Sequence, residues 1–293
     1  QLAHPERYGA NPVDAFDVIV PSLPGYGFSG PPMRPNGDGF GVGPIGPRAI
    51  AGLWHRLVRQ KLNYQRPFGA QGGDWGAAIT TWLAFDHGSA SKDDSGMVGI
   101  HLNMMVLRPG IDEKTTALGA DEKEWLAKTR AVRNRETAYQ RIQSTKPQSL
   151  NVGLNDSPVG LAAWILEKFH GWSDCRGKVL EHFDPDTLIT NIMIYWLNNA
   201  IGTANWLYRG VIEENSIALP QGHKVELPTG YARFPADLSP PPPRAWVERA
   251  FNVRRFTEMP SGGHFAALEE PKLLVEDIRE FFRPLRFGVA NDS

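Results

Sequence analysis

Arg66-Pro67-Phe68-Gly69-Ala70-Gln71-Gly72-Gly73-Asp74-Trp75-Gly76-Ala77-Ala78-Ile79-Thr80-Thr81-Trp82-Leu83-Ala84 decides the reading of this chain. A short strand-like run, Arg66 to Ala70, meets a glycine turn, and the turn opens into an apolar, helix-like run from Ala77 to Ala84. Strand, tight turn and helix is the setting in which one side chain is held exposed on a strained backbone, the nucleophile elbow. Here the central residue of the G-x-Nu-x-G pattern is Asp74, between Gly72 and Gly76. A serine at that point would attack a carbonyl. A carboxylate is suited to attacking saturated carbon and forming an ester with it. An aspartate at the start of a helix also faces unpaired N–H groups and the positive end of the helix dipole, which favour negative charge. The alternative is an aspartate that only caps the helix.

Outward from the elbow, short apolar runs alternate with helical patterns. Phe16 to Val20 reads as a buried parallel strand ending in Pro21-Ser22-Leu23-Pro24-Gly25-Tyr26-Gly27. Residues 30–47 read as a loop rich in glycine and proline, and Ala49 to Leu62 carries apolar residues at helical spacing. Met97 to Asn103 reads as another strand. Such alternation predicts a parallel sheet covered on both faces. From Asp121 to Arg209 the pattern is mostly helical and rich in aromatics, and strand patterns return at Val225 to Tyr231 and Asn252 to Phe256 before a last helix over Lys272 to Phe282. The predicted organisation is an α/β core over 1–115 and 216–293, with a helical cap inserted over 116–215.

The bulk composition narrows the function classes. The 293 residues are 41% hydrophobic and 22% charged, enough apolar side chain for a sizeable core. A net charge of −1 argues against electrostatically driven nucleic-acid binding. The single cysteine, Cys175, cannot form an intrachain disulfide. No run approaches the roughly 20 apolar residues of a membrane span, and there is no signal-peptide pattern. The chain opens Gln1-Leu2-Ala3-His4 without an initiator methionine. The expectation is a cytoplasmic chain, with a membrane anchor upstream of Gln1 as the alternative.

Candidate partners of Asp74 follow in the order nucleophile, acid, histidine, which is the order of α/β-hydrolases. His264, in Ser261-Gly262-Gly263-His264-Phe265, sits on a glycine turn after a strand, where an imidazole would stand over the C-terminal edge of the sheet. A base histidine needs a carboxylate to fix its tautomer. Asp237, in Arg233-Phe234-Pro235-Ala236-Asp237-Leu238, is the candidate, with a surface turn aspartate as its bland alternative. Glu269 and Glu270 are nearby alternatives for that carboxylate, but they lie on the approach to the last helix and read rather as surface or capping groups. A substrate oxygen leaving as an alkoxide would need a donor such as a tyrosine. Tyr139, Tyr195 and Tyr208 are candidates that spacing does not separate, and packing tyrosines are the alternative for each.

Five separated motifs give the chain a family resemblance: Pro21-Ser22-Leu23-Pro24-Gly25-Tyr26-Gly27-Phe28-Ser29, Gln71 to Gly76, Leu154-Asn155-Asp156-Ser157-Pro158-Val159-Gly160-Leu161-Ala162-Ala163, Val225-Glu226-Leu227-Pro228-Thr229-Gly230, and Gly262 to Pro271. In that order they resemble the microsomal-type epoxide hydrolases of the α/β-hydrolase superfamily over nearly the whole chain. The resemblance implies Asp74 as nucleophile, His264 as water-activating base and Asp237 as its acid, where many relatives carry glutamate. It implies Tyr139 and Tyr208 as the two oxygen-activating tyrosines and gives Tyr195 no catalytic role. It further implies that the Trp75 backbone N–H serves the oxyanion hole and that Trp75 and Trp206 contact substrate. The family's H-G-x-P segment, a second source of oxyanion donors, would lie ahead of Gln1, so the first strands of the core are expected to be missing from this chain.

The implied reaction is hydrolysis of a lipophilic epoxide, a cyclic ether, to a vicinal diol through an Asp74 alkyl ester. Its partners would be the epoxide and water, with no nucleic acid, no metal and no organic cofactor, and a homodimer is compatible with the sequence. The rivals are a haloalkane dehalogenase, which also uses an elbow aspartate, and a hydrolase-fold binding protein or fragment without catalytic competence.

Overall fold

The computed structural model describes residues 1–36, 39–88 and 96–286. Two single-turn 3-10 segments, Pro5–Tyr8 and Pro12–Asp14, open the chain. A small antiparallel ribbon follows, β1 (Met33–Asn36) and β2 (Gly39–Val42), then α1 (Pro47–Arg56). The helix runs on through one wider π turn, Leu57–Lys61, closed by the Leu62 N–H donating to the Leu57 carbonyl at 2.8 Å. The elbow lies between β3 (Phe68–Gly72) and α2 (Asp74–His87), and β4 (Met97–Leu102) completes the first half of the sheet.

Among the described residues, eight helices then intervene: α3 (Ala120–Glu136), α4 (Ala138–Thr145), α5 (Pro147–Asp156), α6 (Pro158–Trp172), α7 (Val179–His182), α8 (Pro185–Leu197), α9 (Ile201–Ala204) and α10 (Trp206–Glu214). The chain returns to the sheet with β5 (Val225–Arg233), α11 (Arg244–Glu248) and β6 (Phe251–Glu258), and ends in α12 (Ala266–Glu269) and α13 (Pro271–Arg286).

The described strands of the main sheet run β3-β4-β5-β6, all parallel. Each face is covered by a helix whose sequence suits it. On α2, Ala77 to Ala84 are all buried, so the helix is apolar all round and sits wholly inside the core between the sheet and α1. On α13, Leu274, Ile278, Phe281 and Phe282 recur at helical spacing and form one apolar stripe against the opposite face. Gly69 in β3 lies directly under the Phe282 ring, where a Cβ would collide with it. Burying these stripes removes large apolar areas from water at roughly 25 cal/mol per Å².

A buried polar knot ties α13 to the strands. The Asp277 carboxylate accepts from Arg255 Nε at 2.5 Å and Thr257 Oγ1 at 2.6 Å, and its other oxygen lies 2.9 Å from His101 Nε2. Burial opposes its charge, but His101, Thr257 and Arg255 outweigh burial and hold the Asp277 carboxyl below the usual range.

Two sequence expectations are corrected here. Residues 30–47 contain the β1–β2 ribbon, because Met33 to Asn36 and Gly39 to Val42 pair antiparallel and satisfy each other's backbone groups. Phe16 to Val20 is not a strand. A cavity of about 760 Å³ is lined by residues 15–20 and by Phe68 to Gln71. A ladder needs neighbours about 4.8 Å apart, and among the described residues β3 pairs with β4 and not with residues 16–20. Val20, an expected core residue, is 84% exposed.

Candidate active site

The elbow is built by close approach. A Cβ at Gly72 would run into the Gly76 carbonyl, so only glycine lets the strand turn so sharply into α2. Asp74 itself has φ +44°, a left-handed conformation that costs a non-glycine residue on the order of 1–3 kcal/mol. The surrounding bonds hold it there. Asn103, just after β4, donates its N–H to the Gly72 carbonyl at 3.2 Å, and its side-chain oxygen accepts from Gln71 Nε2 at 2.8 Å. Gly73, not Asp74, occupies the N-cap, so the capping alternative gives way. The Asp74 carboxylate is 43% exposed and lies 3.6 Å from His264 Nε2.

Asp237 and His264 follow the C-terminal ends of β5 and β6. Parallel pairing of Ala236 with Gly263 brings their two loops side by side. Asp237 Oδ1 accepts from His264 Nδ1 at 2.8 Å and also from the Leu238 N–H at 2.7 Å. Both side chains are buried. This bond fixes the imidazole with Nε2 toward Asp74, the arrangement a general base requires. Burial opposes a charged imidazole, yet the hydrogen bonds and charges of Asp237 and Asp74 prevail and hold His264 at about 10. While both carboxylates are free, the direction is toward the charged imidazole.

Two tyrosines stand over the elbow from the inserted helices. Tyr139 on α4 and Tyr208 on α10 meet edge to face with ring centroids 5.8 Å apart. Trp75 underlies Tyr208 at 4.9 Å, and Trp172 contacts both Tyr139 and His264 at 5.2 Å. Burial, then the Asp74 charge, raises both phenols well above the ordinary value of 10, so each stays a hydrogen-bond donor. A buried amide network sets the helices that carry them. Gln143, one turn after Tyr139, donates to Asn205. Asn205 donates to Asn151 at 2.6 Å, and Asn151 donates to the Gly202 carbonyl at 2.9 Å. The chain of bonds ends at Gln143 Oε1, which is buried without a hydrogen-bond partner among the described residues.

The site thus brings Asp74, His264, Asp237, Tyr139 and Tyr208 together. Trp75 is the second residue of α2, in the first turn where N–H groups lack an intrahelical acceptor. The Trp206 indole N–H donates to Gln148 Oε1 at 3.1 Å. Tyr195 is among the side chains that feel the Asp74 charge; burial first and then that charge raise it to about 12. Sequence reasoning passed over Tyr26, which packs edge to face on Tyr195 at 6.4 Å and lies within reach of the same charge. It belongs to the Pro21 to Ser29 motif, and that was the available signal. Among the described residues no cluster of three or more potential metal ligands occurs, and no helix is long and apolar enough to cross a membrane.

An elbow aspartate, an acid after β5 and a histidine after β6 on a parallel sheet define an α/β-hydrolase fold. The α/β-hydrolase fold family model matches residues 6–107. Among relatives by sequence, epoxide hydrolase 1 of Sus scrofa is 36% identical over 301 residues, covering 96% of this chain and 63% of its own. A Stigmatella aurantiaca protein that carries an epoxide hydrolase name is 38% identical over 288 residues, covering 97% of this chain and 60% of its own. The solved structure of Aspergillus niger epoxide hydrolase superposes with a TM-score of 0.69 at 29% identity, covering 90% of this chain and 62% of that one. The chain therefore has the α/β-hydrolase fold, and its relatives are epoxide hydrolases. It spans about 60% of the length of the curated relatives it matches.

Proposed function

We propose that this protein hydrolyses an epoxide to a vicinal diol in two covalent steps. The observation that carries the reading is the Tyr139–Tyr208 pair over an elbow carboxylate, because two phenol donors suit a ring oxygen that must accept a proton. An Asp74 oxygen forms a bond to one ring carbon as that carbon's bond to oxygen breaks. The departing oxygen takes a proton from a tyrosine, and the result is an alkyl ester of Asp74.

Esterification removes the Asp74 charge. His264 then keeps Asp237 as its only anionic partner at hydrogen-bond distance among the described residues, so it releases a proton, which makes good the one lost by the tyrosine. Neutral Nε2 next takes a proton from water as that water attacks the ester carbonyl. The Trp75 N–H faces the developing oxyanion. Collapse expels the diol, whose oxygen takes the proton from His264, and the Asp74 carboxyl formed with the added hydroxyl passes its own proton to Nε2, which restores the free carboxylate and the imidazolium. Epoxide and water have become diol, with every proton returned. The aromatic lining of Trp75, Trp172, Tyr139 and Tyr208 favours a lipophilic substrate.

The test uses styrene oxide. Asp74→Asn should abolish both diol formation and covalent adduct, and normal turnover by that variant would end the proposal. Release of halide from a bromoalkane without hydrolysis of any epoxide would favour the dehalogenase reading instead.

A further inference from the structure

We infer that Glu269 is a positioning residue for the base, acting on hydrolysis of the ester and not on its formation; this rests on the two-step reading above. Glu269 ends α12, and its side chain is wholly shielded from solvent. Oε2 accepts from the Asp174 N–H at 2.7 Å and the Gly263 N–H at 3.1 Å, and Oε1 accepts from the Phe265 N–H at 2.9 Å. His182 on α7 places Nε2 3.4 Å from the same carboxylate. A buried carboxylate is expensive unless its lone pairs are filled, and here backbone N–H groups fill them.

The two residues that flank His264 are both held by this one side chain. The remaining N–H groups of the turn are tied to the segment after α6: His264 donates to the Trp172 carbonyl at 2.8 Å and Gly262 to Asp174 Oδ2 at 3.3 Å. Four successive N–H groups, residues 262–265, are thus anchored, and Glu269 links their turn to the cap through Asp174. The backbone of His264 has no freedom to shift, so Nε2 stays aimed at Asp74. Asp74, Tyr139 and Tyr208, which make the ester, touch none of these bonds.

Glu269→Gln replaces one of the two acceptor oxygens by an NH₂ group that faces an N–H donor, and the turn must move to relieve the clash. A displacement of about 1 Å at a catalytic group costs on the order of 10²-fold in rate. Rapid-quench intact mass with styrene oxide separates the two steps, with wild type and His264→Gln run alongside and thermal melts on each. The expected result for E269Q is ester formation within about threefold of wild type, hydrolysis slowed on the order of 10²-fold, and visible ester accumulation. Glu269→Asp keeps the charge and should show the same split to a lesser degree, which serves if E269Q does not fold. Both steps falling together with the melting temperature, or neither changing, would overturn the role of Glu269. Wild-type protein that forms neither ester nor diol would overturn this inference and the two-step reading together.

Discussion

Asp237→Asn isolates the part of the site proposed to activate water. The carboxylate is buried, 2.8 Å from His264 Nδ1, and Leu238 N–H also donates to the oxygen that holds the imidazole. That second bond orients an asparagine carbonyl into the same place, so the variant keeps the tautomer and loses the charge. Raising a histidine from 6.5 to about 10 corresponds to at most about 5 kcal/mol of preference for the imidazolium. After burial, Asp237 is the first contributor to that preference, and Asp74 is neutralised once the ester forms. Replacing the charge-assisted bond by a neutral one should remove about 2–4 kcal/mol of stabilisation from the imidazolium formed as water is deprotonated. Ester hydrolysis should therefore slow by roughly 30- to 10³-fold, while ester formation, which uses Asp74 and the tyrosines, changes little. Rapid-quench intact mass under single-turnover conditions reads both rates. Hydrolysis at the wild-type rate, or an equal slowing of both steps, would refute the assignment of Asp237 to the base.

The tyrosine pair should show the opposite split: Tyr139→Phe and Tyr208→Phe each slow ester formation by about 10²-fold, and the double variant loses it, as stopped-time mass analysis would record. Because the folded value of His264 is raised, its imidazolium stabilises the fold fully below about 6.5 and loses that effect as pH rises through about 10. Wild-type melting temperature should accordingly fall faster between those pH values than that of His264→Gln, and parallel curves would contradict the paired imidazolium. Asp277→Ala strands His101, Arg255 and Thr257 in the core and should cost about 3–5 kcal/mol in denaturant unfolding, with the activity of the folded fraction retained.

Much of the site was legible because its chemistry is carried by local backbone. Gly72, Asp74 and Gly76 announce the elbow, and the Gly262-Gly263-His264 turn announces the base, since both depend on glycine at fixed offsets. The alternation of strands and helices likewise gave the parallel sheet and its helical insertion. Choosing Tyr139 and Tyr208 over Tyr195 rested on family resemblance, because their meeting is made by two helices separated by more than sixty positions. Glu269, Asn103 and the Gln143–Asn205–Asn151 network were hidden for the same reason: a capping glutamate or a surface asparagine looks alike in sequence until tertiary packing supplies its partners. Phe16 to Val20 shows the converse. Its residues suit a buried strand, but a strand needs a continuous ladder, and here the Phe16 N–H donates to the Leu2 carbonyl at 3.1 Å without a ladder forming over residues 16–20.

The covalent role of Asp74 is the central claim, and a single turnover in water enriched in ¹⁸O tests it most directly. With enzyme in excess over styrene oxide, water attacks the ester carbonyl, so the label should appear in the Asp74 carboxylate on peptide mapping and the first diol should be unlabelled. Label in the first diol, with none on the peptide that contains Asp74, would show direct attack of water on the epoxide and contradict the nucleophile.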